Sequence, residues 1–579
     1  MAAMEQEAVF DHTALDQLMA GLKASANDWA QTDVAARIAI LDDIKTCLNA
    51  VAGEWVAAAS EAKLIPDGSP LAGEEWISGP YALMMSINAL MNTLGGIEGK
   101  KFLDALKVRE LGNGQVAARV IPGSIWDRIL LSGISADVWM QPGVTVQNLP
   151  AHTASAYDAP VAARKGAVAL VLGAGNIAAI PPLDCLHKLF AEHQVVILKL
   201  NPVNEYLAPF LEAALKPLID RGALAIVRGG ADVGGYLANH ADVDEIHITG
   251  SGASHDAIVW GAGDQGARNK KAGKRINDRR ITSELGAVCP TIVVPGPWSA
   301  ADLRYQAEHI ATQKLHNSGY NCIACQMLIL PGGWQHTPTL IDNVRDVMRT
   351  GFPRGAYYPG TETRLADFEG KSDAAVKFGR GQSPACIVVP LQGEQNEHYR
   401  DHEVFGPAMS TYEIAADQGA EAYLKAAIAY ANDALAGTLG ANILIHPRTL
   451  REIGHKRFES MVTDLHYGTI AVNAWTGVGF LLGQCPWGAF PGHTPQDVGS
   501  GIGFVHNACL FDRPERTVIR QPFRPYPRNM LSGGLTLLPR PPWFVTNRRQ
   551  HRIGRLLTGF EYRRSWLKIP QIILNALRG

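Results

Sequence analysis

Short segments that are apolar on both faces alternate with amphipathic segments through the middle of the chain, and this alternation constrains the fold most. The pattern predicts strands at 167–172, 195–200, 224–227 and 245–248, with helices between them. Strands without a polar face occur in parallel sheets whose two faces are covered by crossover helices. A second series, with strands at 291–294, 327–330, 386–389, 442–445 and 469–472, follows residue 284. The sequence therefore predicts an α/β fold with two doubly wound parallel-sheet domains.

The regions around this series have different patterns. Apolar positions at helical spacing predict that residues 12–110 are helical. Residues 138–140 and 144–146 flank Pro142-Gly143, which predicts a pair of strands. The uncharged window 166–183 contains a Gly-x-Gly turn and Pro181-Pro182. These residues interrupt a membrane-spanning helix, so we expect a strand, a turn and the start of a helix there.

Composition narrows the class of protein. The chain has 579 residues, enough for two or three domains, and a net charge of -2 that gives no overall attraction to nucleic acid or membranes. The eight cysteines have no regular spacing, which favours free thiols in a reducing compartment. Residues 1–9 are acidic and lack the pattern of a secretion signal, so we expect a cytoplasmic location.

Charge is distributed unevenly along the chain. From residue 511 onward there are 14 Lys or Arg and three Asp or Glu, a charge of +11 that leaves -13 elsewhere. Residues 523–579 mix arginine with tryptophan and aliphatic residues, as interfacial segments do. Docking on an acidic surface of another subunit and peripheral attachment to anionic lipid both explain this extension, whereas nucleic-acid binding is not expected. A second basic run, 268–280, is predicted to be a solvated loop, with attraction of an anionic ligand as the alternative.

Cys322 is the first candidate for a catalytic residue. It follows Gly319 and precedes an apolar strand, a position where backbone can approach a ligand closely and a thiolate could act as a nucleophile. Considered alone, Cys322-x-x-Cys325 could also be a redox pair, half of a metal site or two core thiols. No second cysteine pair or histidine pair has metal-site spacing, so no metal site is predicted.

Two further segments supply polar groups next to glycine. Glu284 lies between the basic run and an apolar strand, where a lone carboxylate is either a salt-bridge partner or a general base. Gly173-Ala174-Gly175-Asn176 ends a predicted strand but lacks the third glycine of the dinucleotide fingerprint. The amide of its asparagine could donate a hydrogen bond to an oxyanion.

Together these segments resemble, in order, the motifs of the aldehyde dehydrogenase superfamily over residues 30–520. The matching segments are the strand and turn ending at Asn176, the strand ending at Lys199, Thr249-Gly250-Ser251, Glu284-Leu285-Gly286, Asn317-x-Gly319-x-x-Cys322, Glu403-Val404-Phe405-Gly406-Pro407 and Gly468-x-x-x-x-Asn473. Each motif alone is moderately specific, but seven in the family's order form a strong match.

The resemblance implies a role for each matched residue. Cys322 would be the nucleophile, Glu284 the general base, and Asn176 an oxyanion donor with the backbone N–H of Cys322. NAD or NADP would bind at Gly175, Lys199, Gly250, Ser251, Leu285, Glu403 and Phe405. Lys199 and Glu403 would hold the two riboses, with Gly250 and Ser251 at the pyrophosphate. Cys325 is expected to be structural.

The implied reaction is the oxidation of an aldehyde to a carboxylic acid through a hemithioacetal and a thioester on Cys322, in a homodimer or homotetramer. A CoA-acylating aldehyde dehydrogenase (an acyl-CoA reductase) and a catalytically silent homologue are the alternatives. The expected domains are 1–136 with 159–283 for the dinucleotide, 137–158 with 504–522 as oligomerisation strands, 284–475 for catalysis, 476–503 as a return segment to the cofactor domain, and 523–579 as the basic extension.

Several residues depart from the family pattern. Tyr320 replaces the usual glutamine after the motif glycine, Ala287-Val288 replaces Gly-Lys, and His255 replaces a glycine. Pro202 stands where NAD-preferring members often carry an acid, three residues after Lys199. Without that acid a 2′-phosphate can fit, so the sequence leaves both NAD and NADP open.

Overall fold

The computed structural model describes residues 12–381, 383–393, 397–534, 536–537 and 539–579. The acidic segment 1–9 therefore lies outside the described residues. The chain begins with α1 (His12–Ala30), α2 (Val34–Ala62), α3 (Ala72–Trp76), α4 (Ala82–Gly95), β1 (Lys107–Glu110), β2 (Val116–Ile121), α5 (Ile125–Leu130) and β3 (Ser135–Met140). Helices α1, α2 and α4 share one hydrophobic core with the smaller of two sheets.

The remaining elements alternate strand and helix, as the sequence predicts. The next are β4 (Val168–Leu172), α6 (Ile180–Leu186), β5 (Val195–Lys199), α7 (Ala208–Ala214), α8 (Lys216–Ile219), β6 (Leu224–Val227), α9 (Ala231–Asn239), β7 (Glu245–Gly250), α10 (Gly252–Trp260), α11 (Gly263–Lys271) and β8 (Arg280–Leu285). They are followed by β9 (Cys289–Val293), α12 (Ala300–Leu315), β10 (Cys325–Gly332), α13 (Thr337–Thr350), α14 (Thr361–Gly370), β11 (Val376–Arg380), β12 (Ser383–Leu391), α15 (Glu397–Asp401), β13 (Ala408–Ala415), α16 (Ala420–Ala434), β14 (Gly440–Leu444), α17 (Pro447–Ile453), α18 (His455–Thr463), β15 (Thr469–Val472), α19 (Gly477–Leu481), β16 (Gly501–Ile502), β17 (Pro514–Arg520), α20 (Gln550–Tyr562) and α21 (Ile569–Ala576).

The smaller sheet has the strand order β16-β8-β7-β4-β5-β6 and is parallel apart from the edge strand β16. The chain runs from β4 outward to β6 on one side, then returns to place β7 and β8 on the other side of β4. In doubly wound sheets a ligand binds at the carboxyl ends of the strands beside such a switch point. Here those ends are Leu172 of β4 and Gly250 of β7.

The larger sheet has the strand order β1-β2-β3-β17-β15-β14-β9-β10-β13-β12-β11. The strands from β17 to β12 are parallel, and antiparallel strands close the two edges. Along β10, Met327 and Ile329 face one hydrophobic core, and Leu328 and Leu330 face another. Because both faces of the strand are buried, its central residues 327–330 are all apolar. The predicted fold of two mainly parallel sheets is confirmed.

Three local predictions are wrong. Residues 107–110 form β1 rather than helix and pair with β2 through a hairpin. Residues 144–146 form no strand, although they lie among the described residues. Thr145 and Asn148 instead bond each other's backbone N–H through their side chains, at 2.7 and 3.1 Å, and so close a local turn. The basic run 268–280 begins inside helix α11, and the loop prediction holds only after Lys271.

The basic extension folds against its own chain. Arg524 and Arg528 bind the buried carboxylate of Asp302, and Arg540 binds Glu308. Helix α20 packs so closely on α3 that a Cβ atom at Gly73 would overlap the backbone of Gln550. No helix in the described part of the chain combines the length and apolar character needed to cross a membrane.

Candidate active site

A cleft of about 790 Å³ opens at the switch point between β4 and β7. It collects the predicted site residues from both halves of the chain: Gly175, Asn176, Lys199, Gly250, Ser251, Glu284, Cys322, Glu403 and Phe405. Leu285 is the exception, since its side chain is buried outside the lining and its backbone N–H donates to the carbonyl of Ser500 at 2.8 Å. Nine of the ten residues therefore line one cavity.

A left-handed turn places Cys322 in this cleft. Helix α12 ends at Leu315, and Asn317, Ser318 and Gly319 then have φ values of 53°, 58° and 87°. A Cβ atom at Gly319 would lie 2.7 Å from the backbone of Gly406, so glycine is required for both its conformation and its close approach. The turn directs the chain back toward β10, with Cys322 half-buried at the cleft.

A buried ion pair stabilises the left-handed turn at Asn317. The backbone N–H of Asn317 donates to Glu74 at 2.8 Å, and Glu74 forms a buried ion pair with Arg354. Although burial acts to raise the pKa of Glu74, the Arg354 guanidinium holds it at about 2. The carboxylate is thus a charged acceptor for the turn at all ordinary pH values.

Lys63 connects the turn before Cys322 to the turn that contains Asn176. Its ammonium group pairs with buried Glu75 at 3.0 Å and donates to the Asn176 carbonyl at 2.8 Å and to Asn317 Oδ1 at 3.2 Å. Tyr357 donates to Asn317 Oδ1 as well, at 2.9 Å. Sequence reasoning missed these supporting residues, which are remote in sequence from the motifs.

Hydrogen bonds fix both the side chain and the backbone carbonyl of Asn176. Its side-chain Nδ2 donates to the carbonyl of Tyr320 at 2.9 Å, while its backbone carbonyl accepts from Lys63 and from Asn317 Nδ2. The Asn176 amide has a second N–H that the bond to Tyr320 does not use, and the residue lines the cleft together with Cys322. An oxygen atom bound beside Cys322 would therefore meet a fixed donor.

Cys322 and Glu284 lie next to each other in the cleft. Burial raises the pKa of the Glu284 carboxyl to about 7, and the donor groups of Cys322 and Trp487 limit the rise. Burial and the adjacent Glu284 charge raise the pKa of the Cys322 thiol well above its usual value. At neutral pH the sulfur therefore keeps its proton, and Glu284 is the group placed to accept it.

Trp487 orients the carboxylate and is a site residue that sequence reasoning missed. Its indole Nε1–H donates to Glu284 Oε1 at 3.3 Å, and only 3% of either residue is exposed. The indole packs edge-on against Phe480, which fixes its ring. No motif marks Trp487, because it reaches Glu284 from a segment about 200 residues away.

The start of helix α10 faces the cleft. Ser251 caps this helix by accepting from Ser254 N–H at 3.2 Å, so the positive end of the helix faces the cavity beside Gly250. Such a helix start can bind phosphate groups. At Gly175, which also lines the cleft, a Cβ atom would lie 2.7 Å from Asn201 Oδ1, so glycine lets this turn pack against Asn201.

Glu403 marks the other end of the cleft. Burial and the nearby Glu284 raise the pKa of Glu403 to about 8, and its Oε1 atom has no hydrogen-bond partner among the described residues. A buried acceptor without a partner is costly unless a ligand satisfies it, and a ribose hydroxyl would do so. A side chain at Gly286 would overlap the Glu403 carboxylate, which explains the glycine after Leu285.

Aromatic residues that sequence reasoning did not place surround the same end. Tyr358 and Arg364 line the cleft, and Arg364 donates to the carbonyls of Val404 at 3.2 Å and Phe405 at 3.3 Å. The ring of Tyr320, the departure from the family motif, contacts the rings of Tyr358 and Phe405 with centroids 5.5 and 5.8 Å apart. That substitution thus builds an aromatic wall beside the nucleophile.

Comparisons with known proteins agree with this geometry. A model of the aldehyde dehydrogenase family matches residues 193–351, which include Lys199, Glu284 and Cys322. The aldehyde dehydrogenase LUC3 of a Fusarium species is 26% identical over 159 residues, 27% of this chain and 31% of that protein. An aldehyde dehydrogenase of Enchytraeus buchholzi is 32% identical over 120 residues, 21% of this chain and 20% of that protein. The match thus spans less than a third of either relative.

Similarity of structure extends much further along the chain. An indole-3-acetaldehyde dehydrogenase solved in complex with NAD+ superposes with a TM-score of 0.56 at 16% identity, covering 88% of this chain and 89% of that one. At this identity the likeness shows a common fold, and the family match adds the motif region. Residues 193–351 thus match the aldehyde dehydrogenase family, and the chain as a whole has the fold of the solved aldehyde dehydrogenases.

Proposed function

We propose that the protein is an NAD(P)-dependent aldehyde dehydrogenase that oxidises an aldehyde to a carboxylic acid through a covalent bond to Cys322. The observation that carries the proposal is the Cys322–Glu284 pair, a thiol beside a buried carboxylate in a cleft of about 790 Å³. A nucleophile beside its own base is the arrangement that covalent catalysis requires.

The first step is attack on the aldehyde carbon. As Cys322 Sγ bonds to that carbon, its proton passes to the adjacent Glu284 carboxylate, and the carbonyl oxygen becomes an oxyanion. The free N–H of the Asn176 amide and the backbone N–H of Cys322 stabilise that charge. The fixed position of Asn176 means that the donor is in place before the charge develops.

Oxidation leaves an acyl group on the sulfur. A bound nicotinamide dinucleotide supplies the hydride acceptor, and Cys322 then carries a thioester. Glu284, having released its proton to solvent, takes a proton from water as the water attacks the thioester carbon. The C–S bond breaks, the acid leaves, and the thiol recovers a proton. A carboxyl pKa of about 7 suits a group that alternates between acid and base near neutral pH.

Lys199 and Glu403 would hold the riboses of the cofactor, with Gly250 and Ser251 at its pyrophosphate. The NAD+ complex of the structurally similar indole-3-acetaldehyde dehydrogenase supports a nicotinamide dinucleotide in this cleft. Pro202 follows Lys199 without an acid, so the cleft is expected to accept NADP as well as NAD.

Glu284 also favours water over CoA as the acyl acceptor. A base that activates water is needed for hydrolysis, whereas a CoA thiolate attacks a thioester without one. Hydrolysis is therefore preferred to the CoA-acylating alternative, and the intact Cys322–Glu284–Asn176 set argues against a silent homologue. We further propose a homodimer or homotetramer, as is usual in the superfamily, and a cytoplasmic location consistent with eight free cysteines.

Formation of reduced nicotinamide, followed by absorbance with a panel of aldehydes and both cofactors, tests the proposal. Wild type should turn over without CoA, and Cys322→Ala should be inactive while still binding the cofactor. Cys325→Ala is the matched control, because this buried thiol lies three residues further along, at the start of β10, and does not line the cleft. Equal activity of wild type and Cys322→Ala, or dependence of the rate on CoA, would contradict the proposal.

A further inference from the structure

Four large apolar side chains stand exposed on the last part of the basic extension. Trp566, Leu567, Leu574 and Leu577 expose 59%, 90%, 48% and 46% of their surface, and we call them the C-terminal stripe. Leu567 is the most exposed large apolar side chain in the described part of the protein. Exposed apolar residues that are grouped rather than scattered mark a surface that contacts something else.

The stripe runs from the turn before helix α21 to the residue after it, and that helix is docked on the protein. Helix α21 buries Ile569, Ile572 and Ala576 and packs on α20. Leu574 and Leu577 follow at helical spacing on the side away from those buried residues. The side chain of Lys568 fixes the junction by donating to the carbonyls of Gly559 at 2.7 Å and Arg563 at 2.8 Å.

Cations outnumber acids beside the stripe. Residues 561–579 contain three arginines and one lysine against one acid, the buried Glu561, which binds Arg564. The outer face of α20 adds Arg552 and Arg555, which are exposed and have no carboxylate partner among the described residues. Other arginines of the extension already bind Asp302 and Glu308 on the same chain. The exposed cations are therefore surplus to what docks the extension.

We propose that the C-terminal stripe and its surrounding arginines dock the protein on the surface of an anionic phospholipid bilayer. Tryptophan and leucine bury their apolar parts at the boundary between headgroups and acyl chains, and arginines meet the lipid phosphates. The attachment is peripheral, since α21 has only eight residues, far too few to cross a bilayer.

A second copy of the chain is the competing occupant. Four side chains of these exposures offer a few hundred Å² of apolar surface, below the roughly 800 Å² per partner that a stable protein interface buries. Embedding in a bilayer needs no such area, because each inserted side chain and each cation adds separately to binding. The small apolar area and the positive charge of this surface thus favour an anionic bilayer over a second protein chain.

Flotation of the full-length protein with vesicles tests the proposal. Vesicles of phosphatidylcholine containing roughly one third phosphatidylserine should bind the protein at least about tenfold more tightly than phosphatidylcholine alone, and high salt should weaken the binding. Leu567→Glu with Leu574→Glu should lower binding by about tenfold or more. Leu18→Glu with Val146→Glu is the matched control, since both are large apolar residues exposed elsewhere on the protein, at 42% and 43%.

Arg552→Gln with Arg555→Gln should weaken binding to anionic vesicles and leave residual binding to neutral ones unchanged. Circular dichroism of each variant checks that the fold persists. Failure of the wild type to float with anionic vesicles overturns the proposal, as does equal flotation of the stripe variant and the control. A smaller sedimentation coefficient for the stripe variant, without any vesicle binding by wild type, would assign the stripe to a contact between subunits instead.

Discussion

Replacing Trp487 by Phe should shift the pH dependence of aldehyde oxidation without removing activity. The substitution keeps a large buried ring but removes the indole N–H that donates to Glu284 at 3.3 Å. That hydrogen bond stabilises the ionised carboxylate, so its loss raises the pKa of Glu284 above the present value of about 7. More of the base is then protonated, and inactive, at any pH near or below neutrality.

The size of the shift follows from the geometry. A hydrogen bond to a charged group contributes about 1.5–3 kcal/mol, and a bond longer than the usual 2.9–3.0 Å falls at the lower end. About 1.4 kcal/mol corresponds to one pKa unit. The acid limb of kcat/KM should therefore move up by about one pH unit, with about tenfold lower activity at low pH and nearly wild-type activity above pH ~9.

Initial rates of reduced-nicotinamide formation over a range of pH measure this directly. Trp139→Phe is the matched control, because that indole is also fully buried but its N–H has no hydrogen-bond partner in the described structure. The control should leave the acid limb in place. A Trp487→Phe profile that falls equally at all pH values would refute the role assigned to the hydrogen bond and indicate a packing effect.

Three other substitutions test the electrostatics of the site and cleft. Glu284→Gln should be about 10²–10⁴-fold less active. Burial raises the pKa of Glu284 in the folded state from 4.5 to about 7, so the stability of wild type falls as pH rises through this range. In denaturant titrations the variant should therefore be about 3 kcal/mol more stable than wild type at pH 8 but not at pH 4. Pro202→Glu should raise the NAD-to-NADP ratio of kcat/KM by about tenfold, by placing a carboxylate where a 2′-phosphate would lie; an unchanged ratio would contradict that placement. Lys63→Met should cost about 3–5 kcal/mol of folding stability by leaving Glu75 charged without its partner, and adding Glu75→Gln should recover most of it in the same titration.

Local sequence patterns were sufficient for most of the fold, and the resemblance to aldehyde dehydrogenases for most of the predicted residues that line the cleft. The strands at 167–172 and 327–330 are apolar on both faces, and burial on both faces leaves no other arrangement for them. Residues 144–146 show the limit of this reasoning. Val144 and Val146 suit a strand, but side-chain bonds between Thr145 and Asn148 favour a turn, and β17 from the far end of the chain pairs with β3.

Interactions between distant segments could not be predicted from the sequence. Cys322 and Glu284 stand in motifs, whereas Trp487 reaches Glu284 across about 200 residues and Lys63 reaches Asn176 across 113. Such contacts depend on how two sheets pack, which no local spacing encodes. The basic extension shows the same limit, because its arginines suggested an external acidic partner but Asp302 and Glu308 of the same chain bind several of them.

A covalent thioester on Cys322 is the central element of the proposed mechanism, and mass spectrometry can detect it. In wild type, mixing with aldehyde and NAD or NADP followed by acid quenching within the first turnover should trap the acyl group before it is hydrolysed. The mechanism predicts an acyl mass on Cys322 and none on Cys325, and no adduct when the cofactor is omitted. Formation of reduced nicotinamide in the first turnover with an unmodified Cys322 would contradict it.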